Sequence, residues 1–400
     1  MICSKNFSYV LIILSLPFQF SFHLNFYTIG ALNIQTDLDF EKIPKYQLDI
    51  ANKITTYFAA ISAIMWIFIS YKIKKRRFPI SIMYMISGCV WLIYLAISVD
   101  NFWLTLFLRA INGIILGFFQ SVHISYIMHF AEEKLRGFHG CLVQVSMFLS
   151  LSFLNAMVYA ISWRIICIIL SIQSFIFGGL IWLVPEFIIL PKSLTCEYIH
   201  RQPFLKYLLL MISIMVIQCF SGIGFMIDNC SRLLYAIGID INSTVQSAFM
   251  NLIGCISSLI CSLIIDVVGV RYMWAFSSFG IVISLAIYDI TLKVECPKWL
   301  GVLSIFLYFL FFGLGEGPVP WLTCGVMFSE SVMIESGGIN TFMNRFMDIW
   351  FGYLLDALNK AFGEFGSVVF NASFSLVGCI LGLFFIPNLK RSFHENSTIF

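Results

Sequence analysis

The sequence predicts an all-α membrane protein with twelve membrane-spanning helices. Of its 400 residues, 60% are hydrophobic and only 11% are charged. A water-soluble domain contains about 25% charged residues, so this composition excludes an ordinary soluble protein. Apolar stretches of about 20 residues, each long enough to cross the hydrocarbon core of a bilayer, recur along the chain.

Short polar connections separate the predicted spans. The spans lie near 9–32, 54–71, 79–98, 102–128, 140–162, 164–188, 204–228, 243–265, 272–292, 299–329, 337–359 and 366–386. The first resembles a secretory signal peptide, but it continues apolar to Leu32 without a small-residue cleavage site, so we interpret it as a span. Residues 189–203 join the sixth span to the seventh. They divide the chain into an N-terminal bundle of six helices, 1–188, and a C-terminal bundle of six, 204–400.

The distribution of lysine and arginine predicts the orientation in the membrane. Basic residues accumulate in cytoplasmic connections. Most of those in this chain fall on one side if the N-terminus is cytoplasmic, and KIKKRR at 72–77 contributes most of the bias. Both termini are therefore expected in the cytoplasm. Asn-Ser-Thr at 242–244, an N-glycosylation signal, is expected outside.

No motif of a common enzyme class occurs in the sequence. Walker loops, HExxH and GxSxG are absent, and no connection is long enough for a soluble nucleotide-binding domain. The twelve cysteines and six histidines are scattered without a CxxC pair or a zinc-binding spacing. We expect no enzyme activity, no cofactor and no metal. The small net charge of +3 gives no indication of nucleic-acid binding.

Several short segments, in order along the chain, resemble the motifs of one transporter family. They are LRAING…GCLVQ at 108–144, Pro185-Glu186, IQCFSGI at 217–223, DVVGVR at 266–271, GEGPVPW at 315–321 and PNLK at 387–390. These are similar to motifs of the sugar porter family, within the major facilitator superfamily. The resemblance covers nearly the whole chain. It implies the major facilitator fold of two six-helix bundles, and transport of a solute by alternating access.

The resemblance also implies a solute site in one central cavity. It assigns Gln144, Gln218, Trp321 and Asn344 to that site. Carboxamides carry a donor and an acceptor on one side chain, which suits sugar hydroxyls, and tryptophan offers a flat apolar face to the ring. The alternative is a structural role: a glutamine in a membrane helix often hydrogen-bonds a neighbouring helix, and a tryptophan often packs against other side chains without binding a solute.

Two positions depart from the family pattern. Cys219 stands where the family often has a second glutamine, and Gly224 where it has asparagine. Neither replaces those hydrogen bonds, so the pocket is expected to be less polar than a typical hexose site. Asn33, at the outer end of the first span, is either a further site residue or the start of a loop.

The tenth span is interrupted by Gly317, Pro318 and Pro320. Proline removes a backbone donor and breaks an ordinary helix. Within a bilayer, irregular backbone is tolerated where it is buried in protein or lines a cavity. We expect the helix to bend here and close over a bound solute, with a static kink as the alternative.

Charged residues at the cytoplasmic helix ends are expected to form an inner gate. Arg136, Asp266 and Arg271 match the family positions, whereas His129 and Val326 replace its glutamates. The carboxylates that follow one turn later are Glu133 and Glu330. The hypothesis is that they pair with Arg136 and Arg271 when the inner side is closed; a solvated helix face is the alternative.

The mode of transport depends on the charges within the spans. Glu316, in the tenth span, is the candidate proton carrier, because intramembrane charges are costly and usually functional. Arg345 and Asp348 lie three residues apart and are expected to pair. Proton-coupled members of the family usually have an acid in the first helix, and this chain has none.

We therefore favour facilitated diffusion of a small neutral solute, a hexose-like monosaccharide, across the plasma membrane. One alternative is a proton-coupled carrier of a sugar or of another small organic solute. The other is a sensor, descended from a carrier, that does not transport.

Overall fold

The computed structural model describes residues 5–30, 34, 37, 45–70, 72–73, 75–97, 101–186, 202–227, 242–294, 296–328 and 332–387. Regular structure in these ranges is helical throughout. The α-helices are α1 Lys5–Ile13, α2 Ser15–Phe18, α3 Phe20–Ile29, α4 Lys45–Ser70, α5 Arg77–Ile93, α6 Phe102–Phe130, α7 Arg136–Ala160, α8 Trp163–Leu180, α9 Gln202–Phe220, α10 Ser243–Val268, α11 Val270–Lys293, α12 Lys298–Phe311, α13 Val319–Val326 and α14 Met333–Phe385. A π-helical segment, Phe312–Glu316, joins α12 to α13.

A helix occupies each of the twelve predicted spans. Eleven helices in the described ranges are long and apolar enough to cross a membrane. The predicted eleventh span, 337–359, forms the first half of α14 but carries Arg345, Asp348 and Asp356 and is not among the eleven. Gly363 then breaks α14 with a φ of 71°, a left-handed value that glycine adopts without strain.

The helices extend further than the apolar stretches that predicted them. The second predicted span begins at residue 54, whereas α4 begins at Lys45. Hydropathy marks the thickness of the bilayer, and a helix continues beyond it as long as its backbone hydrogen bonds are satisfied. The sequence therefore located the spans better than the ends of the helices.

Two glycines bring α6 close to α4. Gly113 and Gly117 are four residues apart, the small-residue spacing that lets two membrane helices approach. A Cβ atom at Gly113 would lie 2.8 Å from Cβ of Phe58, and one at Gly117 would lie 2.9 Å from Cβ of Ser62. Ser62 Oγ donates to the carbonyl oxygen of Ile114 at 2.7 Å, which joins the two helices at the same point.

We expect Gly117→Ala to lower the free energy of unfolding by about 1–3 kcal/mol, because the added methyl group forces these two backbones apart. Gly179→Ala is the matched control, since a Cβ atom at this position in α8 would meet nothing within 4 Å. Thermal unfolding of the detergent-purified variants measures the effect. Equal unfolding temperatures for the two variants would contradict the close approach.

The first half of the chain, α1 to α8, packs against the second half, α9 to α14, through several helix pairs, of which two are the most extensive. In one pair α7 runs along α10, and Ser152 Oγ donates to the carbonyl oxygen of Ala248 at 2.9 Å. In the other pair α4 runs along α14, and the hydroxyl oxygens of Tyr57 and Tyr353 are 2.7 Å apart. The space enclosed between these pairs contains the candidate site.

Candidate functional site

A cavity of about 180 Å³ lies between the two halves. Helices α3, α4 and α7 line it from the first half; α9, the π-helical segment, α13 and α14 line it from the second. The polar residues of the lining are Asn25, Thr28, Thr56, Gln144, Gln218, Asn344, Arg345 and Asp348. Aromatic side chains, among them Phe20, Phe148, Phe312 and Trp321, supply much of the remaining wall.

The four residues that the sequence assigns to a solute site all line this cavity. Gln144 lies on α7, Gln218 on α9, Trp321 on α13 and Asn344 on α14. Both halves of the chain thus contribute, as a carrier that alternates its access would require. Their contact with a solute remains a prediction.

Gln218 makes hydrogen bonds with the irregular backbone of the tenth span. Its Nε2 donates to the carbonyl oxygens of Glu316, at 2.9 Å, and Gly317, at 3.0 Å. These carbonyls lie where the helix ladder is interrupted, and buried carbonyl groups need a partner. Oε1 of Gln218 is buried and has no partner among the described residues. Gln218 therefore caps the helix break through Nε2, and its Oε1 remains available as a hydrogen-bond acceptor.

The carboxamides of Gln144 and Asn344 are less committed to the protein. Gln144 makes no hydrogen bond with any residue that the structure describes, and 7% of it is exposed. Nδ2 of Asn344 contacts only sulfur atoms, those of Met215 at 3.2 Å and Cys219 at 3.5 Å. Thioether and thiol sulfur are weak acceptors. Oδ1 of Asn344 accepts a hydrogen bond from Nη2 of Arg345. The amide of Gln144 and the Nδ2 group of Asn344 therefore retain hydrogen-bonding capacity for a solute.

Trp321 is fixed in the cavity wall by an aromatic contact with the first half. Its ring centroid lies 5.6 Å from that of His123 on α6. Only 3% of Trp321 is exposed, so its indole is held rather than mobile. It presents a rigid apolar surface at the base of the cavity.

The interruption of the tenth span is a short π-helix. The N–H of Gly317 donates to the carbonyl oxygen of Phe312 at 2.8 Å, a bond across five residues. Pro318 and Pro320 follow it, and Pro320 stands near the start of α13, where a helix needs no donor from its backbone. A Cβ atom at Gly317 would lie 3.1 Å from Cγ of Gln144, so this break contacts the other half. The regular α-helix is thus interrupted at this point, while the predicted bend and its movement remain predictions.

Glu316 lies outside the cavity lining, inside the second half. Its N–H donates to Oγ of Ser277 at 2.8 Å, and its side chain is fully buried. Its carboxyl group faces the hydroxyl groups of Ser221 and Ser278. A Cβ atom at Gly378 would lie 3.5 Å from Oε1 of Glu316, which places the carboxyl group against α14. Glu316 thus does not line the cavity, and its role as a proton carrier stays a prediction.

The first turn of α7, at Gly137 and Phe138, meets the end of α10 at Asp266; we call this contact the closed face. The carboxylate of Asp266 accepts hydrogen bonds from the N–H groups of Gly137 and Phe138, each at 2.9 Å. Gly137 has to be small, because a Cβ atom there would lie 2.9 Å from Cγ2 of Ile265 and even closer to Asp266. Asp266 thus caps α7 from across the boundary between the two halves.

The predicted pairing of the gate charges is not observed for the residues that the structure describes. No ion pair joins Glu133 to Arg136 or to Arg271 in those ranges, and Glu133 is exposed. Glu330 lies outside the described residues, as does Asn33, so the pairing proposed for Glu330 stays a prediction. At this face Asp266 caps α7.

Sequence reasoning did not assign Asn25, Thr28 or Thr56 to the site, although all three line the cavity. Asn25 and Thr28 are three residues apart and therefore share one face of α3, which was a usable signal. Arg345 and Asp348 pair as predicted, with Nη1 of Arg345 3.4 Å from Oδ2 of Asp348. That the pair also lines the cavity was not predicted.

The fold is that of the major facilitator superfamily. The structure of the proton:xylose symporter XylE bound to 6-bromo-6-deoxy-D-glucose superimposes with a TM-score of 0.78 at 14% identity, over 96% of this chain and 97% of that one. The human organic anion transporter MFSD10 superimposes with a TM-score of 0.71 at 12% identity, over 95% and 100%. At these identities the similarity defines the fold alone. The protein is thus a multi-pass membrane protein of this fold.

The family follows from the sequence of the second half. The model of the family "Sugar (and other) transporter" matches residues 192–400, more than half of the chain, and the chain belongs to this family. A facilitated trehalose transporter Tret1-2 homolog of Drosophila simulans is 26% identical over 201 residues, which are 48% of this chain and 40% of that protein. The chain thus spans well under half the length of this curated relative. The matched proteins are transporters and not enzymes, in agreement with the absence of catalytic motifs.

Proposed function

We propose that this protein carries a neutral, sugar-like solute across a membrane by alternating access. The observation that carries the proposal is the cavity between the two halves, lined by amide groups from both and sealed at the closed face. A solute held by Gln144 from one half and Asn344 from the other would draw the halves together. That coupling of binding to closure is what alternating access requires.

The solute that we propose is a hexose or a small glycoside of it. The amides that remain available, with Trp321 beside them, suit a molecule with several hydroxyl groups and an apolar ring face. The relative from Drosophila simulans is named as a trehalose transporter, so a disaccharide is included with the monosaccharide in the test. We propose facilitated diffusion, because Glu316 lies outside the cavity lining.

A second candidate is the transport of another small organic solute. The charged pair Arg345 and Asp348 in the cavity favours it, because a neutral sugar does not require charged partners. Competition by unlabelled solutes of different charge separates the two candidates. Uptake that persists when the proton gradient is collapsed would support facilitated diffusion over proton coupling.

We further propose that both termini lie in the cytoplasm, that the membrane is the plasma membrane, and that residues 189–203 link bundles 1–188 and 204–400. The bias of lysine and arginine supports the orientation. Most of the other extensive helix contacts lie within one half or the other, which supports the division into bundles. The closed face would then be the cytoplasmic one, and the cavity would open to the outside.

We expect Gln144→Ala to reduce saturable uptake of labelled glucose or trehalose into proteoliposomes by about tenfold or more, because one or two hydrogen bonds to the solute are lost. Gln246→Ala is the matched control: Gln246 is buried on α10 and lies outside the cavity lining. Trp321→Ala should also lose uptake. Folded parent protein that takes up neither sugar would refute the proposed solute, and binding without uptake would favour the sensor alternative.

A further inference from the structure

In the ion pair of Arg345 and Asp348, the carboxylate is more exposed to the cavity than the guanidinium group. Nη1 of Arg345 lies 3.4 Å from Oδ2 of Asp348, and both residues line the cavity. The side chain of Asp348 is 37% exposed, whereas that of Arg345 is only 5% exposed. The cavity therefore meets the carboxylate much more than the guanidinium group.

Arg345 is held in place by contacts other than Asp348. Its Nη2 donates to Oδ1 of Asn344, and its guanidinium group lies over the ring of Phe20, 5.2 Å from the ring centroid. Phe20 belongs to α3, so this cation–π contact crosses from the second half to the first. A cation fixed on two sides is a stable anchor for the carboxylate beside it.

The second oxygen of Asp348 occupies space that Gly224 leaves open. A Cβ atom at Gly224 would lie 3.3 Å from Oδ1 of Asp348, so a larger residue at position 224 would crowd this oxygen. Oδ2 is directed to Arg345 and Oδ1 lies beside Gly224, which itself lines the cavity. An ionised carboxylate only accepts hydrogen bonds, and it binds hydroxyl and ammonium donors more strongly than a neutral amide does.

We propose that Asp348 is a solute-binding carboxylate of this cavity and that Arg345 is its positioning residue. The site then selects solutes that present hydroxyl or ammonium groups, and it disfavours solutes that carry a carboxylate. This inference rests on the proposed function, since it assigns a specificity determinant to the same cavity. The proposal also explains why a charged pair lies in the cavity, which binding of a neutral solute by amide groups alone does not explain.

The test compares solutes of one shape and three charges. Unlabelled glucose, glucosamine and glucuronate compete with labelled glucose, and in parallel with labelled trehalose, for uptake by the parent protein and by Asp348→Asn. We expect the ratio of the half-inhibition concentration of glucosamine to that of glucose to be about tenfold higher in the variant than in the parent protein. Glucuronate should inhibit the variant at a lower concentration than it inhibits the parent protein. Asp356→Asn is the matched control, because Asp356 is exposed on the same helix and outside the cavity lining.

Two further measurements keep the inference open to refutation. Asp348→Asn leaves Arg345 without its partner, so the double variant Arg345→Gln with Asp348→Asn removes both charges and should show the same change in ranking. Quenching of tryptophan fluorescence by glucosamine and by glucuronate reports binding without transport. If the parent protein moves no sugar but binds glucosamine better than glucuronate, the proposed function fails and the role of Asp348 stands. An unchanged ranking in both variants overturns the role of Asp348.

Discussion

Gln218→Glu should be among the most destabilising single substitutions in this chain. Nε2 of Gln218 donates to the carbonyl oxygens of Glu316 and Gly317, and a glutamate at this position has no such donor. Each buried carbonyl left without a partner costs about 1–3 kcal/mol. The new carboxylate oxygen would also face two carbonyl oxygens at close range. We expect the free energy of unfolding to fall by about 3–6 kcal/mol in total.

Two other substitutions separate the loss of the hydrogen bonds from the cost of the new charge. Gln218→Met keeps the length of the side chain, removes the donors and adds no charge, so about half of the loss is expected. Gln246→Glu places a carboxylate at another buried glutamine, whose side chain makes no hydrogen bond with a carbonyl group of the described residues. Thermal unfolding in detergent, followed by tryptophan fluorescence, ranks the variants. Gln218→Glu that is no less stable than Gln246→Glu would mean that the helix break does not depend on this cap.

Residue type and order along the chain were enough to predict the spans and four residues of the cavity wall. A helix stands at each predicted span, because a bilayer imposes a length and a polarity that the sequence must meet. Gln144, Gln218, Trp321 and Asn344 line one cavity, because the motifs fix where each residue stands on its helix. Whether these residues bind a solute remains a prediction.

Individual hydrogen-bond partners could not be predicted from the sequence. The rotation of each helix decides which carbonyl a glutamine reaches, and this rotation is set by packing over the whole bundle. Gln218 therefore had two open roles, and the structure gives it the cap of the helix break. Asp266 was expected among the gate charges, and the sequence did not indicate that its carboxylate accepts hydrogen bonds from the N–H groups of Gly137 and Phe138.

The caps provided by Gln218 and Asp266 indicate which contacts of the proposed carrier would change between its two states. Gln218 supports a break in the wall of the cavity, and Asp266 joins the two halves at the closed face. The first cap lies within the second half and is compatible with either state of access. The second cap crosses the boundary between the halves, so it has to break whenever the closed face opens.

Asp266→Ala should therefore open the closed face. The substitution removes two charge-assisted hydrogen bonds and a negative charge at the N-terminus of α7, where the helix dipole favours an anion. We expect the state with this face open to gain about 2–4 kcal/mol relative to the closed state, which is roughly a 30- to 1,000-fold change in their ratio. Asp266→Asn keeps one acceptor oxygen and should give a smaller shift.

Two native cysteines report the opening. Cys141 on α7 and Cys261 on α10 are both 0% exposed and lie in contact across the boundary between the halves. Labelling with N-ethylmaleimide, read by mass spectrometry of the cysteine peptides, should become faster at both in Asp266→Ala, with exposed Cys89 as the internal reference. Asp289→Ala is the control, because Asp289 pairs with Lys293 on α11 away from this face. Unchanged protection of Cys141 and Cys261 would mean that the packing of α7 on α10 closes this face without the help of Asp266.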